Sequence, residues 1–140
     1  MPATEALKTR TTLRVRFHEC DPLQIVWHGN YLKYFEEGRE DFCRKHGISY
    51  RDAQVHSIAT HIVKSLCEHK LPLRYGDKFE VETTFIVSPA AKMHFEYKIF
   101  KDGKVVCTGE TLQVFIDEKG EMLLSFPAFF IDWKQKTGLL

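Results

Sequence analysis

One stretch, residues 30–46, carries helical periodicity, and most of the chain after it reads as strand, so the fold must seat one long helix against a sheet. Tyr31, Phe35, Gly38 and Phe42 recur at i, i+4, i+7 and i+11 and form a single apolar stripe. Lys33, Glu36, Glu37, Glu40, Asp41 and Arg44 fall mostly outside that stripe and are left to water. Gly38 in mid-stripe costs about 1 kcal/mol against Ala in a helix, so its presence predicts a close approach of helix backbone to sheet. Acidic residues crowd the first part of the helix and Arg44, Lys45 and His46 its end, as the helix dipole prefers. Asn30 is a good N-cap and Gly47 a natural C-cap.

The flanking pattern is that of a sheet. Residues 11–18 alternate, with Leu13, Val15 and Phe17 on one face and Thr12, Arg14, Arg16 and His18 on the other, the period of a half-buried strand. After a short helical link over 49–54, residues 58–70 form a long strand with Ile62, Val63 and Leu66 apolar, stopped by Pro72. Residues 78–87 alternate about Phe79, Val81, Phe85 and Val87, and a further strand carries Met93, Phe95, Tyr97 and Ile99. Asp102-Gly103 is a hairpin signal leading into 105–117, so those two strands should pair antiparallel. A turn at Glu118-Lys119-Gly120 precedes a short run at 122–126, and Pro127 opens a C-terminal helix with Phe129, Phe130 and Trp133 on its apolar side. The class is α+β. With 140 residues, no repeat and no linker composition, residues 1–140 are expected to be one domain.

Charge narrows the function. A formal net charge of +1 gives no field for steering a polyanion, so no nucleic-acid partner is expected. Residues 1–10 lack the apolar core of a signal peptide and no later run reaches membrane-spanning length, so the expected location is cytoplasmic with no membrane partner. Cys20, Cys43, Cys67 and Cys107 have no CxxC spacing, which suits reduced thiols. His18, Cys20 and Asp21 find no further ligand pair at suitable spacing, and no metal is assigned. There is no Gly-x-Ser-x-Gly elbow and no phosphate-cradling glycine loop, so neither a serine nucleophile nor a nucleotide cofactor is indicated, and no cofactor is expected.

The remaining chemistry is concentrated where the first strand meets the helix, in residues 19–34. Asp21-Pro22 fixes a carboxylate in a turn just upstream of the helix. Alone, that pair is a turn. Its company is an apolar run, Ile25-Val26-Trp27, inside what ought to be a polar loop, which implies that the loop folds over a pocket. His28 closes the run and reads equally as a capping group, a packed aromatic or a catalytic group. Gly29 and Asn30 then place free helix N–H groups, and the positive end of the dipole, a few residues from the carboxylate. Such a site can polarise a carbonyl oxygen. Tyr31 and Tyr34 read first as packing residues, and His56, His61 and His69 as partly exposed polar positions.

Cys20-Asp21-Pro22, Ile25-Val26-Trp27 and Asn30-Tyr31 together resemble the active-site motif of the 4-hydroxybenzoyl-CoA thioesterase family, acyl-CoA thioesterases of the hotdog fold. His28 stands where the aromatic-substrate enzymes have Tyr and the relatives similar to the Tol-Pal-associated thioesterases have His. The resemblance implies a sheet wrapped around the helix, Asp21 as the catalytic carboxylate with His28 beside it, and an acyl-CoA substrate bound by Trp27, Gly29, Asn30 and Tyr31. It implies too that Lys92 holds coenzyme A phosphates, a position that otherwise reads as a surface lysine. In such relatives two sheets become continuous and substrate lies between subunits, so a homo-oligomer, dimer or tetramer, is expected. Two other readings keep the fold: a hotdog hydroxyacyl dehydratase, which the Asp-Pro motif fits poorly, and a non-catalytic acyl-CoA binder or sensor.

Overall fold

Residues 7–139 are described by the computed structural model, so residues 1–6, part of the stretch read for a leader segment, lie outside it. In chain order the elements are β1 (Lys8–Arg14), α1 (Tyr31–His46), α2 (Tyr50–Val55), β2 (Ala59–His69), β3 (Lys78–Ile86), β4 (Lys92–Lys101), β5 (Lys104–Ile116) and α3 (Ala128–Lys136). The five strands form one antiparallel sheet in the order β1-β3-β4-β5-β2. α1 touches β1 and β3 and also β2 at the opposite edge, which requires the sheet to curl around it.

The apolar stripe of α1 is what the sheet closes on. Phe35 and Phe42 are fully buried, and Tyr31, Tyr34 and Gly38 are buried with them. Burial of each Phe is worth about 1.5–3 kcal/mol. A Cβ at Gly38 would stand 2.5 Å from Thr83 Oγ1 and 2.8 Å from Val81 Cγ1, so the predicted close approach is real and is made to β3. Gly109 of β5 has the matching role: a Cβ there would lie 2.3 Å from the Phe35 ring. With no side chain in the way, Phe35 stacks on Tyr97 at 4.5 Å between ring centroids. Farther along, Phe42 meets Phe85 and Phe95, and Phe85 meets Phe130 and Trp133 of α3, which closes the end of the core.

The hairpin signal holds. Asp102 and Gly103 both take positive φ, 50° and 77°, and join β4 to β5 with Lys101 opposite Lys104. Gly47 ends α1 in the left-handed conformation at φ 73°.

Four expectations are corrected. The first strand is Lys8–Arg14, not 11–18; Phe17–Glu19 wind into a 3-10 turn in which the Glu19 carboxylate accepts the Arg16 N–H at 2.7 Å. Phe17 is therefore 78% exposed, edge-on to Tyr75. Asn30 does not cap α1 with its side chain, because a 3-10 turn over His28–Asn30 leads into the helix and Asn30 is already helical. The first turn of α1 carries no acidic residue. Residues 122–126 form no strand, only a single bridge from Met122 to Ile116.

Candidate active site

The loop after β1 is shaped by its own backbone. Cys20 and Val26 bridge, the Asp21 N–H donates to the Ile25 carbonyl at 2.8 Å, and the Gln24 N–H donates to the Asp21 carbonyl at 2.8 Å. Pro22 thus sits second in a tight turn, where its fixed φ belongs. The Leu23 N–H donates to Asp21 Oδ1 at 2.8 Å, so the carboxylate is oriented by the turn it begins. The loop is held to the sheet end by the Val26 N–H on the Leu73 carbonyl at 2.8 Å and by a bridge from Ile25 to Arg74. Among the described residues Asp21 has no ion-pair partner.

Glu19, which the sequence reading did not single out, joins this loop to α1. Its carbonyl accepts the Trp27 N–H at 3.0 Å and Asn30 Nδ2 at 2.8 Å, and its Oε1 accepts the Tyr34 hydroxyl at 3.0 Å. Burial, then the bond to Glu19, pushes the Tyr34 hydroxyl far above the usual phenol range, so it stays a donor. Asn30 therefore fastens the helix entry to the loop. Trp27, half-exposed, lays its ring over Gly29, where any Cβ would come within 2.2 Å of it. In the 3-10 turn the Asn30 N–H bonds the Trp27 carbonyl and the Tyr31 N–H the His28 carbonyl, which leaves the N–H groups of His28 and Gly29 without a partner inside the turn.

Asp21, Ile25, Val26, His28 and Tyr31 line one open cleft of about 300 Å³ together with His69, Lys70, Leu71 and Pro72 from the end of β2 and beyond. Desolvation pushes the Tyr31 hydroxyl up to about 12, so it too stays protonated. The His69 ring stands edge-on to Tyr31 at 4.8 Å and 6.4 Å from the His28 ring. His69 had read as a polar strand position; its place in the cleft depends on how far β2 runs, which no local pattern encodes. The cleft brings together a carboxylate and two imidazoles beside the turn that opens α1.

A family model for the thioesterase-like superfamily matches residues 15–134. The chain belongs to that superfamily. It is a thioester hydrolase of the hotdog fold, and the resemblance drawn from residues 20–31 is borne out. A hypothetical protein from Aquifex aeolicus is 30% identical, covering 89% of this chain and 98% of its own, with a TM-score of 0.82. The DHNA-CoA thioesterase from Staphylococcus aureus is 26% identical with a TM-score of 0.83, covering 94% of this chain and 92% of its own. The acyl-CoA thioester hydrolase YbgC of Escherichia coli O157:H7 is 24% identical over 77% of this chain and 81% of its own.

Lys92 lies elsewhere in this hotdog chain. It opens β4 and pairs with Val114, which pairs with His61, whereas the cleft is level with Ile99, Cys107 and His69. Seven residues of β5 separate Cys107 from Val114, a span of roughly 24 Å. That far end holds a second cavity of about 430 Å³, walled by Cys43, Ile48, Met93, Phe115, Phe129 and Phe130. Gln113 and Arg39 add polar edges to it. No helix among the described residues is long and apolar enough to cross a membrane.

Proposed function

We propose that the chain is an acyl-CoA thioesterase acting on an aromatic or short-chain acyl group, with Asp21 as general base or nucleophile. The observation that carries this reading is an oriented carboxylate, without an ion-pair partner among the described residues, in one cleft with His28, whose N–H and that of Gly29 have no partner inside the turn that opens α1. The thioester carbonyl accepts hydrogen bonds from the His28 and Gly29 N–H groups, so charge developing on its oxygen meets fixed donors and the positive end of α1. Asp21 then takes a proton from water as it attacks, or attacks the carbonyl itself and forms a mixed anhydride that water opens. In either route the C–S bond breaks and coenzyme A leaves as its thiolate, which takes back the proton Asp21 gained from water in the first route and takes a proton from solvent in the second. His28 orients the water or hydrogen-bonds the thioester, Tyr31 lines the cleft, and Trp27 and Asn30 hold the loop and helix entry that frame it.

The way two chains would fit supports the substrate class. β2 is an open edge along which Ile62, Val63 and Leu66 are about half exposed. Pairing two such edges antiparallel sets the His69 end of one strand against the Ala59 end of the other. The Asp21 cleft would then face the end of the partner that holds the second cavity, whose Met93, Phe115, Phe129 and Phe130 walls suit an apolar acyl group, and that also carries the partner's Lys92, a cation for phosphate. This supports a homodimer, or a tetramer built from it, with acyl-CoA held between subunits. Release of free thiol from a panel of aromatic and aliphatic acyl-CoAs tests the reading: hydrolysis lost in Asp21→Asn supports it, and binding of acyl-CoA without turnover by the native chain refutes it.

A further inference from the structure

The geometry points to a binding site for a thiophilic divalent cation of the zinc(II) class, formed by Cys67, His69 and Cys107 and opening on the cleft that holds Asp21. In the β2–β5 ladder His69 is opposite Cys107 and Cys67 is opposite Gly109, so positions 67, 69 and 107 share one face of the sheet. Cys67 Sγ lies 3.3 Å from Cys107 Sγ and 4.0 Å from His69 Nδ1, and all three ligand atoms fall within 4.8 Å of one another. A tetrahedral zinc site, with bonds of about 2.3 Å to sulfur and 2.0 Å to nitrogen, requires S–S and S–N separations of about 3.8 and 3.6 Å. Side-chain shifts of about half an ångström close the difference for these two pairs, and a shift of about an ångström covers the Cys107–His69 pair. Two sulfurs and an imidazole are the donor set that selects such a cation over calcium or magnesium.

Burial is graded across the three. Cys107 is fully buried, Cys67 is half-buried, and His69 is exposed and lines the cleft. Three protein ligands with the fourth position toward an opening is the pattern of a site that exchanges its fourth ligand. A redox pair is the poorer reading of the same sulfurs. A disulfide would use the two sulfurs and leave the His69 imidazole idle, whereas a cation takes all three donors and displaces the thiol protons as it binds. The other cluster of this kind, His94, Glu96 and Glu110, is already spoken for: Glu110 holds Lys64 at 2.8 Å and His94 at 3.0 Å.

A cation on His69 occupies the cleft, so it blocks thioester hydrolysis; this consequence, unlike the site itself, rests on the cleft being the active one. The test uses the reduced full-length chain titrated with cobalt(II) as the spectroscopic probe and then with zinc(II) by calorimetry. One cation per chain is expected, with a thiolate-to-cobalt charge-transfer band in the near ultraviolet. Cys67→Ser and Cys107→Ser should remove that band, and His69→Gln should weaken binding about tenfold or more. Cys20→Ser should leave both unchanged. His69 is exposed, so its variant carries the test if a buried-cysteine variant fails to fold. Absence of saturable uptake overturns the site, as does a band that survives in both cysteine variants or formation of a Cys67–Cys107 disulfide in place of uptake. Uptake that leaves turnover unchanged upholds the cation site and overturns the claim that it lies in the active cleft.

Discussion

Asp21 commits one carboxylate oxygen to the Leu23 N–H and so arrives at the cleft already oriented. Asp21→Asn keeps the size and the turn but removes the charge, so turnover should fall by about 10²-fold or more while acyl-CoA still binds. Thiol release and calorimetry on the same preparation check this, and a variant retaining most of its activity rules out the mechanism. His28→Ala should lose less, because the carboxylate and the backbone donors remain, and His28→Phe should be equally impaired, since it keeps a ring but no nitrogen. Wild-type rates for His28→Phe with every substrate would make the residue a wall of the cleft. The Asp21-Pro22 turn and the helix start were legible because turn chemistry is local. Glu19 was not, since its value lies in bonds to Asn30 and Tyr34 that exist only once the loop has folded back on α1. His69 and Cys107 were missed for a related reason: they meet across a ladder between strands 38 residues apart, and alternation names a face but not a neighbour.

α1 shows how an element is fixed by one absent side chain. Gly38→Ala gains about 1 kcal/mol of helix propensity, but its methyl must displace Thr83 and Val81 from a packed sheet. Overpacking of that kind costs about 1–3 kcal/mol, so the clash wins and the melting temperature should drop. An unchanged or higher value in thermal unfolding would mean that helix and sheet part more easily than this contact implies. The turn before β3 supplies a pH dependence. Burial alone would raise the Asp77 carboxyl, but the Arg74 N–H at 2.8 Å and Lys101 Nζ at 2.9 Å hold it below its ordinary 3.8. Its stabilisation is therefore complete above the unfolded value of 3.8 and is lost as pH falls through the lower folded value. Asp77→Asn should cost about 1.5 kcal/mol at neutral pH and flatten the acid limb of the stability curve, as denaturant melts across the range would record. Among elements, the helix, the 102–103 hairpin and the later strands were read correctly from period and turn residues. The first strand was overrun because Phe17 continued its alternation, while Glu19 and the Arg16 backbone turn the chain there.

At the scale of the molecule, one chain has its carboxylate at one end of the sheet and the cavity walled by Phe115, Phe129 and Phe130 at the other. The proposed homodimer through β2 would bring the two together. Val63→Glu sets like charges along the pairing edge, so it should shift sedimentation toward a monomer and lower turnover by about tenfold or more while the circular dichroism stays native. A fully active monomer would refute the shared site. Periodicity could not announce this, because a half-exposed strand reads the same whether it ends in solvent or against a copy of itself. The sheet order has a consequence in time as well. β1 pairs only with β3, and Arg10 meets Glu82 across 72 residues of chain. Such a ladder bears a large closure entropy and forms late, after the local β4–β5 hairpin. The loop that carries Asp21 hangs from β1, so the carboxylate proposed for catalysis is seated only when that last pairing locks. A chain still emerging from the ribosome, with β3 not yet made, lacks that seating however much of its helix has formed.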